Sequence, residues 1–191
     1  MDADFSIELG QEDPVLDFPW SDPAGTLAYV DLKRRPELLV RIAETQNFPE
    51  LAEFLRMANS PRSVVETAKC DAWATTELNA EEEIYGGSHK CASYVDVVLS
   101  NLDARLSLRI HEQFARKVTE LLRRAPETPS AAELCVRRCY FGEDGGVREG
   151  FYFTFYVSGY GNDEASARLN WGVGLKLMGN AILQLSAGRT G

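Results

Sequence analysis

Long apolar runs are missing from this 191-residue chain, and no stretch approaches the eighteen or so residues of a membrane span. Basic charge is also short: 20 Lys and Arg stand against 29 Asp and Glu, a net charge of −9. Such a chain repels phosphate backbones and anionic membrane surfaces at long range, so neither nucleic acid nor membrane is an expected partner. Histidine occurs twice and cysteine four times, with no C-x-x-C spacing. No G-x-S-x-G, H-E-x-x-H or phosphate-loop motif is present, and no catalytic chemistry, metal or cofactor is expected. The start, MDADFSIELGQEDP, lacks the basic and apolar regions of a secretory signal. A cytoplasmic location is the default expectation, with the four thiols free and buried as small apolar groups.

What is present is a hydrophobic fraction of 45 %, enough for one domain with a substantial core. Residues 1–30 are rich in Asp, Glu, Pro and Gly, yet carry Phe5, Leu9, Val15, Leu16, Phe18 and Trp20. They read as an acidic extended arm that docks on the domain or on a partner, or as a partly frayed tail. Residues 31–191 read as a single α+β domain. PELLVRIAET (36–45) predicts a helix with Pro36 in its first turn. Asn47 and Glu50 then have capping-box spacing for a second helix through Leu51, Phe54, Leu55 and Ala58.

From Ser63 the hydrophobic period changes to two. Ala68, Cys70, Ala72 and Ala74 alternate with Thr67, Lys69, Asp71 and Trp73, which predicts a strand. LNAEEEIYGG (78–87) reads as a solvated acidic loop, and a second strand over 90–100 turns Cys91, Val95, Val97 and Leu99 one way. Asn101 or Asp103 caps the next helix, whose stripe is Leu106, Ile110, Phe114, Val118 and Leu121, with Arg105 among its wet side. ELCVRRCYF (133–141) is a third strand, GEDGG (142–146) a turn, and FYFTFYVSGYG (151–161) a fourth strand. There Phe151, Phe153, Phe155 and Val157 oppose Tyr152, Thr154, Tyr156, Ser158 and Tyr160. Asn162 caps a last helix with a wide apolar face, in which Gly172, Gly174 and Gly179 suggest close approach to another backbone.

The order strand, strand, helix occurs twice, over about 63–125 and 131–187, and the two halves align in pattern. The expected fold is α+β: a four-stranded antiparallel sheet from a duplicated ββα unit with two long helices on one face. The arm and a helical pair precede it, and the pair is expected to cover an edge or part of the other face.

That parity puts the phenylalanines under the helices. Trp73, Tyr94, Asp96, Tyr152, Tyr156 and Tyr160 then line the opposite face as the candidate binding residues, joined by Arg137 or Arg138. Such a face is covered by the chain itself, forms a subunit interface, or cradles a ligand. Cys135 and Cys139, separated by three residues on a strand, lie about 13 Å from each other, too far to share an ion. Cys70, His89 and Cys91 could approach across a hairpin but lack a fourth ligand. His111 falls on a helix flank among charges and reads as a surface residue.

Helix followed by two ββα units in an acidic chain resembles the element order of secretion-chaperone-like domains. The resemblance covers element order only and implies a homodimer that holds an extended partner segment. The leading expectation is a small acidic protein- or peptide-binding protein without catalysis. The alternatives are a small-molecule-binding protein or enzyme using the tyrosine-rich face, and an acidic toxin-neutralising protein.

Overall fold

The computed structural model describes residues 1–80, 82–143 and 146–188. The chain is α+β, with a mixed sheet of six strands rather than the expected four. The strands are β1 (Asp2–Ile7), β2 (Leu16–Phe18), β3 (Val65–Thr75), β4 (His89–Leu99), β5 (Ser130–Glu143) and β6 (Gly146–Gly161). Their order is β1-β5-β6-β4-β3, with β2 also on β5. Neighbours among β3, β4, β6 and β5 pair antiparallel, whereas β1 and β2 lie parallel to β5. The extra strands come from the first 30 residues. Without them the 14-residue β5 would present a long bare edge.

The helices are α1 (Glu44–Asn47), α2 (Pro49–Ala58), α3 (Leu102–Arg105), α4 (Leu108–Arg123) and α5 (Glu164–Ala187). Helices α2, α4 and α5 share one face of the sheet. Helix α5 lies over β6 and β4, α4 over β1, β5 and β6, and α2 beside α5 near β3. The leading helices therefore join the main core instead of covering the other face: Leu51, Phe54 and Leu55 are buried with Val65 and Trp171. Phe153, Phe155 and Val157 lie in the same core, each at most 1 % exposed. Burying one such side chain contributes about 1.5–3 kcal/mol. The Trp171 indole N–H donates to Ser93 Oγ at 3.0 Å, which settles the one polar atom of that large ring.

Local signals shifted at several boundaries. The 36–45 helix is a 3-10 turn over Pro36–Arg41 followed by the four residues of α1. Asn47 ends α1 and caps nothing; Pro49 opens α2 and Glu50 turns to Arg168 at 2.9 Å. Asn101 caps only the short α3, and Ser107 caps α4. Asp163, not Asn162, caps α5, in a reciprocal box with Ser166. Arg105 is buried, with its Nε donating to the Leu99 carbonyl at 2.6 Å and its guanidinium paired to Glu66. His111 is fully buried against Phe151 and Phe153, because α4 turns that flank onto β6.

The helix glycines meet side chains: a Cβ on Gly174 would stand 2.9 Å from Val157 and one on Gly179 2.7 Å from Met57. The close backbone approach sits on the strand, where a Cβ at Gly159 would stand 2.0 Å from the Trp171 nitrogen. Within the expected 142–146 turn, residues 144 and 145 lie outside the described residues, as does residue 81 of the acidic loop. Among the described residues no helix is long and apolar enough to cross a membrane.

Candidate functional site

The face away from the helices follows from the register. Trp73 pairs with Ala92, Ala92 with Ser158, Ser158 with Ala131, and Ala131 with Asp2, one row across five strands. Two residues along, the row is Asp71, Tyr94, Tyr156, Glu133 and Asp4. The next is Lys69, Asp96, Thr154, Cys135 and Ser6. A bulge between Thr67 and Lys69 makes this parity possible on β3. It moves Ala68 to this face, and Thr67 bonds Asn59 instead.

Each end of the face is sealed by the chain itself. At one end the arm lays Leu16 and Phe18 on Ala68, Val98, Cys139, Phe141 and Tyr152. Trp20 donates its indole N–H to the Ala68 carbonyl at 2.6 Å. At the other end Tyr85 stacks flat on Tyr160, with centroids 4.2 Å apart. Its hydroxyl donates to Asp2 at 3.0 Å, while Tyr160 donates to Glu82 at 2.9 Å. Glu82 also pairs with Lys90.

Between the seals runs a polar chain. Arg137 is the arginine that faces this side, with Arg138 turned to Glu149 at 3.6 Å. The Arg137 guanidinium donates to Glu8 at 2.8 Å, to Thr154 Oγ1 at 2.9 Å and to the Tyr156 hydroxyl at 3.2 Å. Thr154 in turn donates to Asp96 at 2.7 Å. Burial pushes the Asp96 carboxyl up to about 6, against the opposing pull of Thr154, Lys69 and Arg137. Burial opposes the charge on Arg137, yet its bonds to Tyr156 and Glu8 outweigh that and raise its pKa. Lys69 lies over the rings of Trp20 and Tyr94, at 5.4 and 5.9 Å.

The six candidate binding residues thus divide. Trp73, 37 % exposed, and the half-buried Tyr156 line a cavity of about 680 Å³ on the outer side of the sheet. Tyr160 contributes to the same cavity but is 3 % exposed under Tyr85. Tyr94 lines a separate cavity of about 280 Å³ with Trp20, Lys69 and Asp71. Asp96 lies beneath the polar chain, 8 % exposed. Tyr152 offers no surface, because the arm buries it to 2 %.

Cys70 and Cys91 sit on the helix side of the sheet, and His89 Nδ1 meets Ser88 at 3.1 Å. Among the described residues the grouping with metal-like spacing is Glu8, Glu133 and Cys135, whose ligand atoms lie within 4.8 Å of one another. Arg137 already holds Glu8, and burial pushes the Cys135 thiol up to about 12, so a guanidinium is the cation seated there.

Asp2, Asp4, Glu82, Tyr85 and Glu133 were not singled out from the sequence. They reach the cavity through the parallel β1–β5 pairing and the return of the 78–87 loop. Alternation within β1 assigns faces to its residues, but no local signal names its partner strand. Comparison with family models, curated proteins and solved structures finds no match to this chain.

Proposed function

We propose that this is a small acidic protein- or peptide-binding protein without catalytic chemistry, and that it holds an extended partner segment on the outer sheet face. The observation that carries the reading is the unsealed middle of that face. Trp73 and Tyr156 stand partly exposed beside a cavity of about 680 Å³, while both ends of the face are closed. Exposed aromatic rings on rigid strands bury much area on binding at little entropic cost. The exposed acids found there, Asp2, Asp4 and Glu133, gather at the β1–β5 end with no histidine or other base beside them among the described residues. We read the halves 63–125 and 131–187 as a duplicated unit. The order β3-β4-β6-β5, symmetric about the β4–β6 junction, supports that reading. A homodimer belongs to the same proposal through the resemblance in element order.

Peptide display on the immobilised protein tests the reading. Wild type is expected to enrich a sequence class that a Trp73→Ala/Tyr156→Ala variant, still fully folded at the selection temperature by circular dichroism, does not. Identical selections by both proteins would overturn it. A second reading, a small-molecule binder, is favoured by the cavity volume, which falls within the 300–1,000 Å³ usual for ligand sites. Native mass spectrometry of the purified protein separates the two by the mass of any retained ligand.

A further inference from the structure

The cavity has a direction. Its floor is the small row Ala92, Ser158 and Ala131, which runs across the strands. Larger side chains border the row on both sides, Tyr156 and Glu133 along one and Tyr160 with Lys90 along the other. The two ends differ in chemistry. At β3 stands the indole of Trp73; at β1 and β5 stand the exposed carboxylates of Asp2, Asp4 and Glu133. From Trp73 to Asp2 the trench crosses four strand spacings, about 19 Å, the span of five or six extended residues.

The charge along it is one-sided. The trench's lysine, Lys90, is matched by Glu82. Arg123 approaches Asp4 at 3.4 Å while its Nε is held by the Ala3 carbonyl, and the N-terminal ammonium donates to Pro126. Asp2 receives a neutral phenol, and Glu133 has no ion pair among the described residues.

Resting on the peptide-binding reading, we infer that the trench takes a basic peptide segment in one orientation. A Lys or Arg side chain sits among Asp2, Asp4 and Glu133, and an aromatic or aliphatic side chain sits four or five residues away against Trp73. The indole supplies apolar area, and the exposed carboxylates supply attraction to a cation that keeps part of its water.

The test uses three fluorophore-labelled, end-blocked peptides: Phe-Gly-Ser-Gly-Ser-Lys, the same with Gln for Lys, and the contracted Phe-Gly-Lys. Fluorescence polarisation against the full chain is the readout. At low salt the Lys hexapeptide is expected to bind about tenfold more tightly than the Gln one, the sum of several exposed ion pairs. Salt at about 0.5 M shrinks that ratio toward one, since screening then acts within a few ångströms. An Asp2→Asn/Glu133→Gln variant removes the ratio, Trp73→Ala weakens both hexapeptides alike, and the contracted peptide loses the advantage of Lys. Equal binding of the Lys and Gln hexapeptides, both weakened by Trp73→Ala, overturns the inference and leaves peptide binding standing. No binding by any of the three at millimolar concentration overturns both.

Discussion

The two faces of this sheet are closed by opposite means. On one, apolar stripes of α2, α4 and α5 meet Phe153, Phe155 and Val157 in a continuous core. On the other, the short strand β2 and the turn over Glu82–Tyr85 seal the ends, and a polar row and a trench remain between them. Adjacent residues of β6 thus live in different chemistry. Phe155 is fully buried, while Tyr156 keeps its hydroxyl on Arg137 beside the cavity. Stability therefore concentrates on the helical side and recognition on the outer one, within a single strand of alternating residues.

The sharpest break of that comparison is a pair of neighbouring truncations. Phe155→Ala leaves a hole in the main core and is expected to cost about 3–5 kcal/mol of unfolding free energy by urea titration. Tyr156→Ala, one residue on, is expected to cost about 1 kcal/mol, chiefly from the lost bond with Arg137. Equal losses would mean that the two faces carry the fold equally.

Each face also buries a group that titrates between about pH 3.5 and 7, and the two effects on stability have opposite sign. His111 lies on the sheet-facing flank of α4, with Nδ1–H donating to the Ser107 carbonyl at 2.9 Å and Nε2 without a hydrogen-bond partner among the described residues. Burial lowers its pKa to about 4, so its contribution is present above about 6.5 and is lost as pH falls through about 4. Asp96 is raised to about 6, so its contribution is present below about 3.8 and is lost as pH rises through about 6. The shifts correspond to roughly 3 kcal/mol each and offset one another in the wild type. Asp96→Asn should therefore gain stability relative to wild type as pH rises from about 3.5 to 7, and His111→Leu should lose it. Urea titrations across that range, read as differences from wild type, check both. Difference curves of the same sign would show that one of the two groups is not held as described.

How much of this was legible beforehand differs between the faces in the same way. Period-two alternation placed Phe153 and Phe155 inward, and the stripe through Phe114 and Val118 marked α4. Both are local signals read along one segment. The outer face depends on segments far apart in sequence. Leu16 reaches Tyr152, Asp2 reaches Tyr85, and Glu8 reaches Arg137. Strand parity alone left Arg137 and Arg138 equivalent, and pairing with Thr154 and Glu8 decided between them. The wet-side reading of Arg105 failed because Glu66 and the Leu99 carbonyl hold its guanidinium inside. His111 failed likewise, since an imidazole can settle one nitrogen on its own helix and enter an aromatic core. The small row Ala92, Ser158 and Ala131 became a trench only through register.

The seals are weaker than the core, and Leu16→Ala measures by how much. Leu16 is 6 % exposed in the small cluster with Phe141 and Tyr152, so its truncation is expected to cost about 2 kcal/mol, the low end for a buried leucine. Limited proteolysis should then cut within residues 8–30 well below the global melting temperature, because only this seal opens. Cleavage appearing only with global unfolding would make arm and core a single cooperative unit.

The smallest effect on stability is the one that separates recognition from folding. Trp73 is 37 % exposed on the edge strand β3, paired with Ala92 across the sheet, and the structure gives its indole no hydrogen bond among the described residues. Trp73→Ala removes a side chain on the edge strand that is already more than a third exposed, so the unfolding free energy should move by less than about 1 kcal/mol. The same change strips the apolar end of the trench. Trp20 is half-buried and Trp171 fully buried, so the solvent-exposed part of the emission spectrum belongs mainly to Trp73. Loss of that red-edge component with only a small shift of the urea midpoint is the expected result. A midpoint shift comparable with that of Phe155→Ala would place Trp73 in the scaffold and remove the aromatic end from the proposed binding surface.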